Sequence, residues 1–397
     1  MIRHQLPVSS PVGIGPILRG AGAALPRGGG TLDSLAQSLR DRFSARSVWL
    51  TGSGTDALRM ALEAVGDGGD GPKRPVVALP AYSCFDMVTA AVGARVRILF
   101  YDVDPNSLTP DLRSFERVLL RGATAAVVGN LHGYPVDWDE VRGIAARYGA
   151  FLVEDAAQGI GSAWRGVEAG GFGDASVLSF GRGKGWTGGG GGALLWRGGN
   201  HTTFPEPRVP ALRSAGAVDG LRPLLGTTAQ WIMGRPWLYG IPASIPALGL
   251  GETVYKEPRS PRAMSAAVAA VAAATETLAM SVIPARRAVA LQWDDLSKRT
   301  ERWVGCAPLP EGASSYLRFA AVARDPQEAA RVADLLGPAG VVRGYPTSLP
   351  RLPQARDLLL DEMATPGADL LASRAITFPT HGAVTRRDFA RVEGVLR

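Results

Sequence analysis

Residues 151–192 read FLVEDAAQGIGSAWRGVEAGGFGDASVLSFGRGKGWTGGGGG, and this stretch decides how the chain folds. It opens on an apolar run closed by two carboxylates, Glu154 and Asp155. A strand buried on both faces of a sheet reads that way. Two more apolar runs follow, ASVLSF and GGALLW, separated by a loop of glycines that carries one lysine, Lys184. Working toward the N-terminus, the apolar runs AAVVGNL, VRILFYDVD, PVVALPAYSC and SVWL alternate with segments of helical period. Those segments are DWDEVRGIAARYG, DLRSFERVLLRG, FDMVTAAVGA, TGSGTDALRMALEAVG and LDSLAQSLRDRF, the last opened by Thr31 as an N-cap. Short strands alternating with helices over residues 31–196 predict an α/β fold: a mainly parallel sheet covered on both faces.

The rhythm changes outside that region. Residues 1–30 read as an extended N-terminal arm ending in a glycine run. Residues 197–262 are rich in Pro, Trp and Leu with no consistent period, so they read as an insertion-like part of the large domain, 31–262. An Ala-rich helix is predicted over about 263–280. From about 285 the strands SYLRFAAVA and GVVRGY mix with the helices PQEAARVADLLG and RDFARVEGVL. Residues 263–397 are therefore expected to form a linking helix and a smaller α+β C-terminal domain.

Composition narrows the function. With 397 residues and 46% hydrophobic content the chain can build a large core, which excludes wholesale disorder. Its 50 glycines follow no three-residue period, so they belong to turns and close approaches rather than to a collagen helix. Cys84 and Cys306 are too few for a disulfide framework, and a reducing compartment is the expected setting. The four histidines, His4, His132, His201 and His381, lie far apart, so no metal site is expected. A net charge of +7 suits an anionic ligand, but the basic residues are scattered and nucleic acid is not an expected partner. Pro7, Pro11 and Pro16 break the N-terminus, and no later run is a clean bilayer span, so a cytoplasmic protein with no membrane partner is expected.

Three elements carry chemistry. Gly52, Ser53, Gly54 and Thr55 lie between a strand and a helix. Free N–H groups there, with a hydroxyl, either bind an anion such as phosphate or merely cap the helix. Glu154 and Asp155 end a buried strand, where open α/β sheets place their ligands. A carboxylate there accepts a proton from a ring nitrogen, holds a metal or caps the next helix. Lys184, the only lysine between Lys73 and Lys256, sits in its glycine loop either as a solvated side chain or as an amine able to form a Schiff base.

In order, S-G-T-x-A-L, P-A-Y, D-V-D, E-D-A-A-Q and G-x-G-D…S-F-x-x-x-K…G-G resemble the DegT/StrS family of fold-type-I aminotransferases. The resemblance covers residues 31–196 and continues thinly through RGYP and the ending TFPTHGAVTRRDFARV. It implies pyridoxal 5'-phosphate as cofactor, a homodimer, an amino-acid donor such as L-glutamate, and a keto or aldehyde acceptor such as a nucleotide-linked keto sugar. It implies that Lys184 holds the cofactor as a Schiff base and shuttles the proton. It implies that Asp155 pairs with the pyridine nitrogen and that Gln158 lies near the phenolic oxygen. Gly54, Thr55 and Ser179 look like the phosphate cradle.

The chain departs from the family pattern in three places. The aromatic residue that stacks on the cofactor is replaced at the aligned place by Cys84, which leaves Phe85 or Tyr82 as stacking residues or as core. Gly189–Gly192 lacks the glutamate of the family's G-E-G-G. The G-x-N-x-R element is absent, and residues 217–251, with Trp231, Trp237 and Tyr239, stand in its place as candidates for acceptor choice or dimer contact. The same scaffold also hosts lyases and carbon–carbon bond-forming enzymes, and a non-catalytic regulatory relative is a third reading. The presence of both Lys184 and Asp155 favours the enzyme.

Overall fold

The computed structural model describes residues 4–24, 30–65, 74–198, 212, 215, 217–245 and 253–396. Seven strands form the large sheet: β1 (Ser47–Thr51), β2 (Val76–Pro80), β3 (Arg97–Tyr101), β4 (Ala125–Gly129), β5 (Phe151–Asp155), β6 (Ala175–Ser179) and β7 (Gly192–Trp196). Their order across the sheet is β1-β7-β6-β5-β4-β2-β3. Only β7 runs against the others. The architecture is the mainly parallel α/β sheet that the alternation predicts.

The strands form because their apolar runs are buried on both faces. Every residue of β6 and β7 is buried, as are the first four of β4 and β5. The covering helices carry legible stops and starts. The Asp111 side chain accepts the Ser114 N–H at the start of Leu112–Leu120. Asp137 does the same for Asp139 and Glu140 at the start of Trp138–Tyr148, which Gly149 ends in the left-handed conformation. All parallel strands point their carboxyl ends the same way, so Thr51, Asp155 and Ser179 close their strands on one edge of the sheet.

After β7 the chain supplies helices Ala217–Met233, Gly240–Ala243, Ala266–Ser281 and Ile283–Ser297. A second, antiparallel sheet follows, in the order Trp303–Gly305, Phe319–Ala323, Ala375–Phe378, Val342–Arg343. It packs with helices through a core of Trp293, Trp303, Phe319 and Phe378. A small three-stranded sheet, Gly312–Ala313 with Ala163–Trp164 and Val167–Glu168, ties this part back to the loop after β5. Among the described residues no single helix is long and apolar enough to cross a membrane.

Two sequence expectations are corrected. The arm is not extended throughout: Ile14–Ala23 is a helix. Pro16 falls in its first turn, where a missing N–H is tolerated. Gly20 lies so close to Val271 and Leu224 that an added Cβ would meet them at 2.5 and 2.7 Å, so this helix forms by packing on its neighbours. The aperiodic stretch likewise contains the 17-residue helix Ala217–Met233, with Pro223 inside it. Leu224 of that helix is buried with Ala267 and Val271 of the Ala-rich helix. Residues 199–211, 213, 214, 216 and 246–252 of the stretch lie outside the described residues.

Candidate active site

Adjacent residues on a strand face opposite sides, and β5 separates the two carboxylates accordingly. Glu154 is fully buried and accepts the Gly170 and Phe172 N–H groups at 2.8 and 3.0 Å, the Ser176 hydroxyl at 2.9 Å and the Asn130 amide at 3.2 Å. It holds the loop between β5 and β6 and has no capacity to spare. Asp155 accepts one bond, from the Ala157 N–H at 3.0 Å, and its second oxygen has no protein donor among the described residues. Burial raises the Asp155 pKa, while Lys184 and the Ala157 N–H pull it back down.

Lys184 sits in the turn after β6, where its N–H reaches the Gly181 carbonyl at 3.3 Å. Its amine has no hydrogen-bond or ion-pair partner among the described residues, yet its charge acts on Asp155, Cys84 and His132. The other described lysines lie apart from this site: Lys256 is exposed, and Lys298 pairs with Asp294 at 2.6 Å.

The helix Gly54–Val65 starts beside this pair. Ser53 caps it by accepting the Asp56 N–H at 3.0 Å. The first two helical N–H groups, of Gly54 and Thr55, have no protein acceptor among the described residues, as expected of a helix start. Ser179 closes in on them. A Cβ on Gly54 would lie 2.8 Å from the Ser179 Cβ, so only glycine lets the two segments approach this closely. The result is a cup of free N–H groups and hydroxyls at the positive end of a helix, which suits a phosphate.

The glycine run behind the cup is packed as well. An added Cβ on Gly189, at φ +78°, would run into the Thr227 hydroxyl of the helix Ala217–Met233. At Gly190, where the family pattern places a glutamate, an added Cβ would meet only Pro223 at 3.7 Å, so packing does not explain its absence.

On the opposite side, the core alternative for Phe85 and Tyr82 is the one the packing favours. Phe85 is 6% exposed and belongs to the main core, with no described contact to Asp155 or Lys184. Tyr82 is also core, and its hydroxyl accepts the Tyr345 N–H at 3.0 Å. The half-buried Cys84 is the member of this turn that senses both Asp155 and Lys184. Its thiol is pushed up to about 12, first by burial and then by Asp86 and Asp155, with Lys184 opposing. Gln158 is held at both ends, donating to the Tyr345 hydroxyl at 2.8 Å and accepting the His132 N–H at 3.0 Å.

Three residues of this region were not singled out as site residues from the sequence. His132 and Tyr345 stack at 6.1 Å between ring centres, 19° from parallel. Arg318 acts electrostatically on both. His132 stood among the scattered histidines, and the one signal for Arg318 was a charge interrupting the apolar run SYLRFAAVA. Burial and the charges of Arg318 and Lys184 lower the His132 pKa to about 3, so its ring is neutral. On unfolding it regains a pKa near 6.5 and takes up a proton below that pH. Stability is therefore lost as pH falls from 6.5, by about 3 kcal/mol at pH 4 from this group alone. His132→Asn is expected to flatten that part of the stability profile, read from urea midpoints between pH 7 and pH 4. An unchanged slope would contradict a buried neutral ring.

The profile of the DegT/DnrJ/EryC1/StrS aminotransferase family matches residues 22–218. This part of the chain belongs to that family. Over 173 residues the chain is 36% identical to the L-glutamine:2-deoxy-scyllo-inosose aminotransferase of Streptomyces lividus, covering 43% of this chain and 39% of that one. Over 192 residues it is 26% identical to the GDP-perosamine synthase of Vibrio cholerae, 48% of this chain and 50% of that one. The chain thus spans about two-fifths of the length of the first of these curated relatives and half of the second, at 39% and 50%. The DegT/DnrJ/EryC1/StrS fold extends further than the sequence match. The sugar aminotransferase CalS13 from Micromonospora echinospora superposes with a TM-score of 0.72 at 19% identity, over 100% of this chain and 99% of that one. The fold is that of the fold-type-I enzymes.

Proposed function

We propose that this chain is a pyridoxal-phosphate-dependent aminotransferase that moves an amino group from an amino-acid donor to the keto group of a polyhydroxylated ring. The observation that carries the reading is the convergence of three groups on one sheet edge: the unpaired Lys184 amine, the half-free Asp155 carboxylate and the open Gly54–Thr55–Ser179 cup. These residues fit the cofactor. The cup would take its phosphate, Asp155 its ring nitrogen, Lys184 its aldehyde carbon, and Cys84 and Gln158 the space beside the ring. When bound, the cofactor supplies an electron sink for the carbon that gains or loses nitrogen.

The protein's own work is positional and acid–base. Asp155 would keep a proton at the ring nitrogen of the bound cofactor, and Lys184 would serve as the acid–base group that moves a proton at the substrate carbon. The buried His132 and the half-buried Cys84 and Tyr345 would limit the water that competes for that proton. L-glutamine and L-glutamate are the donors to try first, the former because the Streptomyces relative is named for it. Keto cyclitols and nucleotide-linked keto sugars are the acceptor panel. Mass spectrometry of the purified protein with each donor–acceptor pair is expected to find an aminated ring. Breakdown of the donor with no amine appearing on any acceptor would argue instead for a lyase.

Gly54→Ala probes the cup. Its Cβ must push Ser179 away, and overpacking of that kind costs about 1–3 kcal/mol, so cofactor affinity is expected to fall about 10- to 100-fold. An absorbance titration reads it, and unchanged affinity would move the phosphate elsewhere.

The protein is proposed to work as a homodimer. Leu221, Leu225, Trp237 and Ile241 are exposed, Trp237 at 69%, and a patch of that character is normally covered. Tyr239 differs from Trp237. It is half-buried, its ring meets His4 edge-on at 5.7 Å, and its hydroxyl lies in the field of Arg318. Trp237→Ala is expected to weaken the dimer in sedimentation. Tyr239→Ala is expected to leave the dimer intact and to raise the acceptor KM several-fold. The reverse pattern would exchange the two roles.

A further inference from the structure

Arg318 opens the strand run Phe319–Ala323 from its N-terminal side, in the part of the chain that the family profile does not match. Its guanidinium carries five N–H donors in a rigid fork. The described structure gives them one side-chain acceptor, the Thr377 hydroxyl at 3.3 Å. No carboxylate among the described residues lies within ion-pair distance. The groups that face it are neutral: the hydroxyls of Tyr345, Tyr239 and Tyr82. Burial accordingly lowers its pKa. Other arginines that leave bulk water are better supplied: Arg42 pairs with Glu168 and Glu276, both at 2.7 Å, Arg302 with Glu328 at 2.7 Å, and Arg286 donates to the Ser9 carbonyl at 3.0 Å. Arg318 is half-buried, and a cation drawn that far from water without a partner is costly unless something supplies the charge.

A second feature of the same place points to a ligand. His132 is 6% exposed, lies between Arg318 and Lys184 in the sense that both cations act on its ring, and its Nδ1 has no partner among the described residues. An unfilled polar atom and an unpaired guanidinium therefore stand together beside the amine that the aminotransferase reading places at the reacting carbon. Lys184 already lies in the field of the Asp155 carboxylate, so the charge still missing is on the Arg318 side.

We propose that Arg318 receives the carboxylate of the amino-acid donor, the free Nδ1 edge of His132 completing the pocket. Every such donor carries a carboxylate one bond from its reacting carbon, and the guanidinium fork matches that group in two parallel hydrogen bonds. The inference rests on the aminotransferase reading, and it makes Arg318 a donor-specificity residue for the Lys184 site. The Tyr345 hydroxyl, fixed by Gln158, closes the aromatic wall beside the pocket.

The test uses the cofactor-loaded protein and glutarate, a dicarboxylate with no amine, titrated calorimetrically beside its uncharged diamide. Wild type is expected to bind glutarate and not the diamide. Arg318→Gln is expected to weaken glutarate about 10- to 100-fold, the range of a charge-assisted hydrogen bond, and to raise the donor KM by the same factor. A simple alkylamine, which lacks a carboxylate, should be handled equally by both proteins. Arg318→Lys keeps the charge but loses the fork, so an intermediate weakening is expected, and this variant carries the test if the glutamine variant loses its cofactor. Equal glutarate affinity in wild type and variants, no glutarate binding by wild type, or equal losses for glutarate and alkylamine would each overturn the assignment. Arg318-dependent glutarate binding in a protein whose cofactor absorbance no amino acid alters would sink the aminotransferase reading and leave the carboxylate site standing.

Discussion

Lys184→Ala is expected to fold, to keep the phosphate cup and to lose turnover by at least about 10²- to 10⁴-fold, the share that a positioned acid–base group contributes. The chain has four lysines, and among the described ones only Lys184 lies in the field of Asp155. Among the described residues its amine has no partner to release before it can react. Alanine removes both the covalent anchor and the proton carrier, while Gly54, Thr55 and Ser179 remain where they were. Borohydride treatment of the wild-type protein is therefore expected to place a pyridoxyl group on the peptide containing Lys184, and to label nothing in the variant. Label on Lys73, Lys256 or Lys298, or a variant turning over within tenfold of wild type, would remove Lys184 from the mechanism.

The parts of the site that could be read in the sequence are local. Asp155 ends a strand, Lys184 sits five residues beyond Ser179, and Gly54 opens a helix, so each announces itself within a dozen residues. The alternation of strand and helix around them determined the sheet, because buried parallel strands need continuous apolar runs and their crossovers need amphipathic helices. What stayed hidden depends on contacts across the chain. Strand periodicity says that Glu154 and Asp155 face opposite ways, but only the loop at Gly170–Phe172, folding over Glu154, decides which one is free. The displacement of Phe85 into the core is a one-residue matter of where the helix Asp86–Ala94 begins. Ile14–Ala23 and Ala217–Met233 contain glycines and prolines that argue against helix, and burial against the Ala-rich helix overrides that preference. His132, Arg318 and Tyr345 are separated by 186 and 27 positions of chain and meet only after folding.

The separation of the two carboxylates also predicts how they fail. Glu154 is consumed by four donors in a buried setting, so Glu154→Gln is a stability change: one amide oxygen must serve donors that two carboxylate oxygens served. Asp155 is the reverse case. Asp155→Asn keeps an oxygen for the Ala157 N–H, so the turn after β5 should persist and melting should shift little. What the amide lacks is the negative charge that keeps a proton on the cofactor's ring nitrogen. Without that proton the ring would accept electrons from the substrate carbon poorly. Turnover is expected to fall about 10²- to 10³-fold, the scale of losing one preorganised electrostatic partner. Cofactor affinity should change far less, since the Gly54–Thr55–Ser179 cup is untouched. Steady-state rates with a cofactor titration on the same preparation separate the two quantities. A variant that turns over within a few-fold of wild type would mean that Asp155 only closes its turn; one that loses cofactor and rate together would make it a binding residue first.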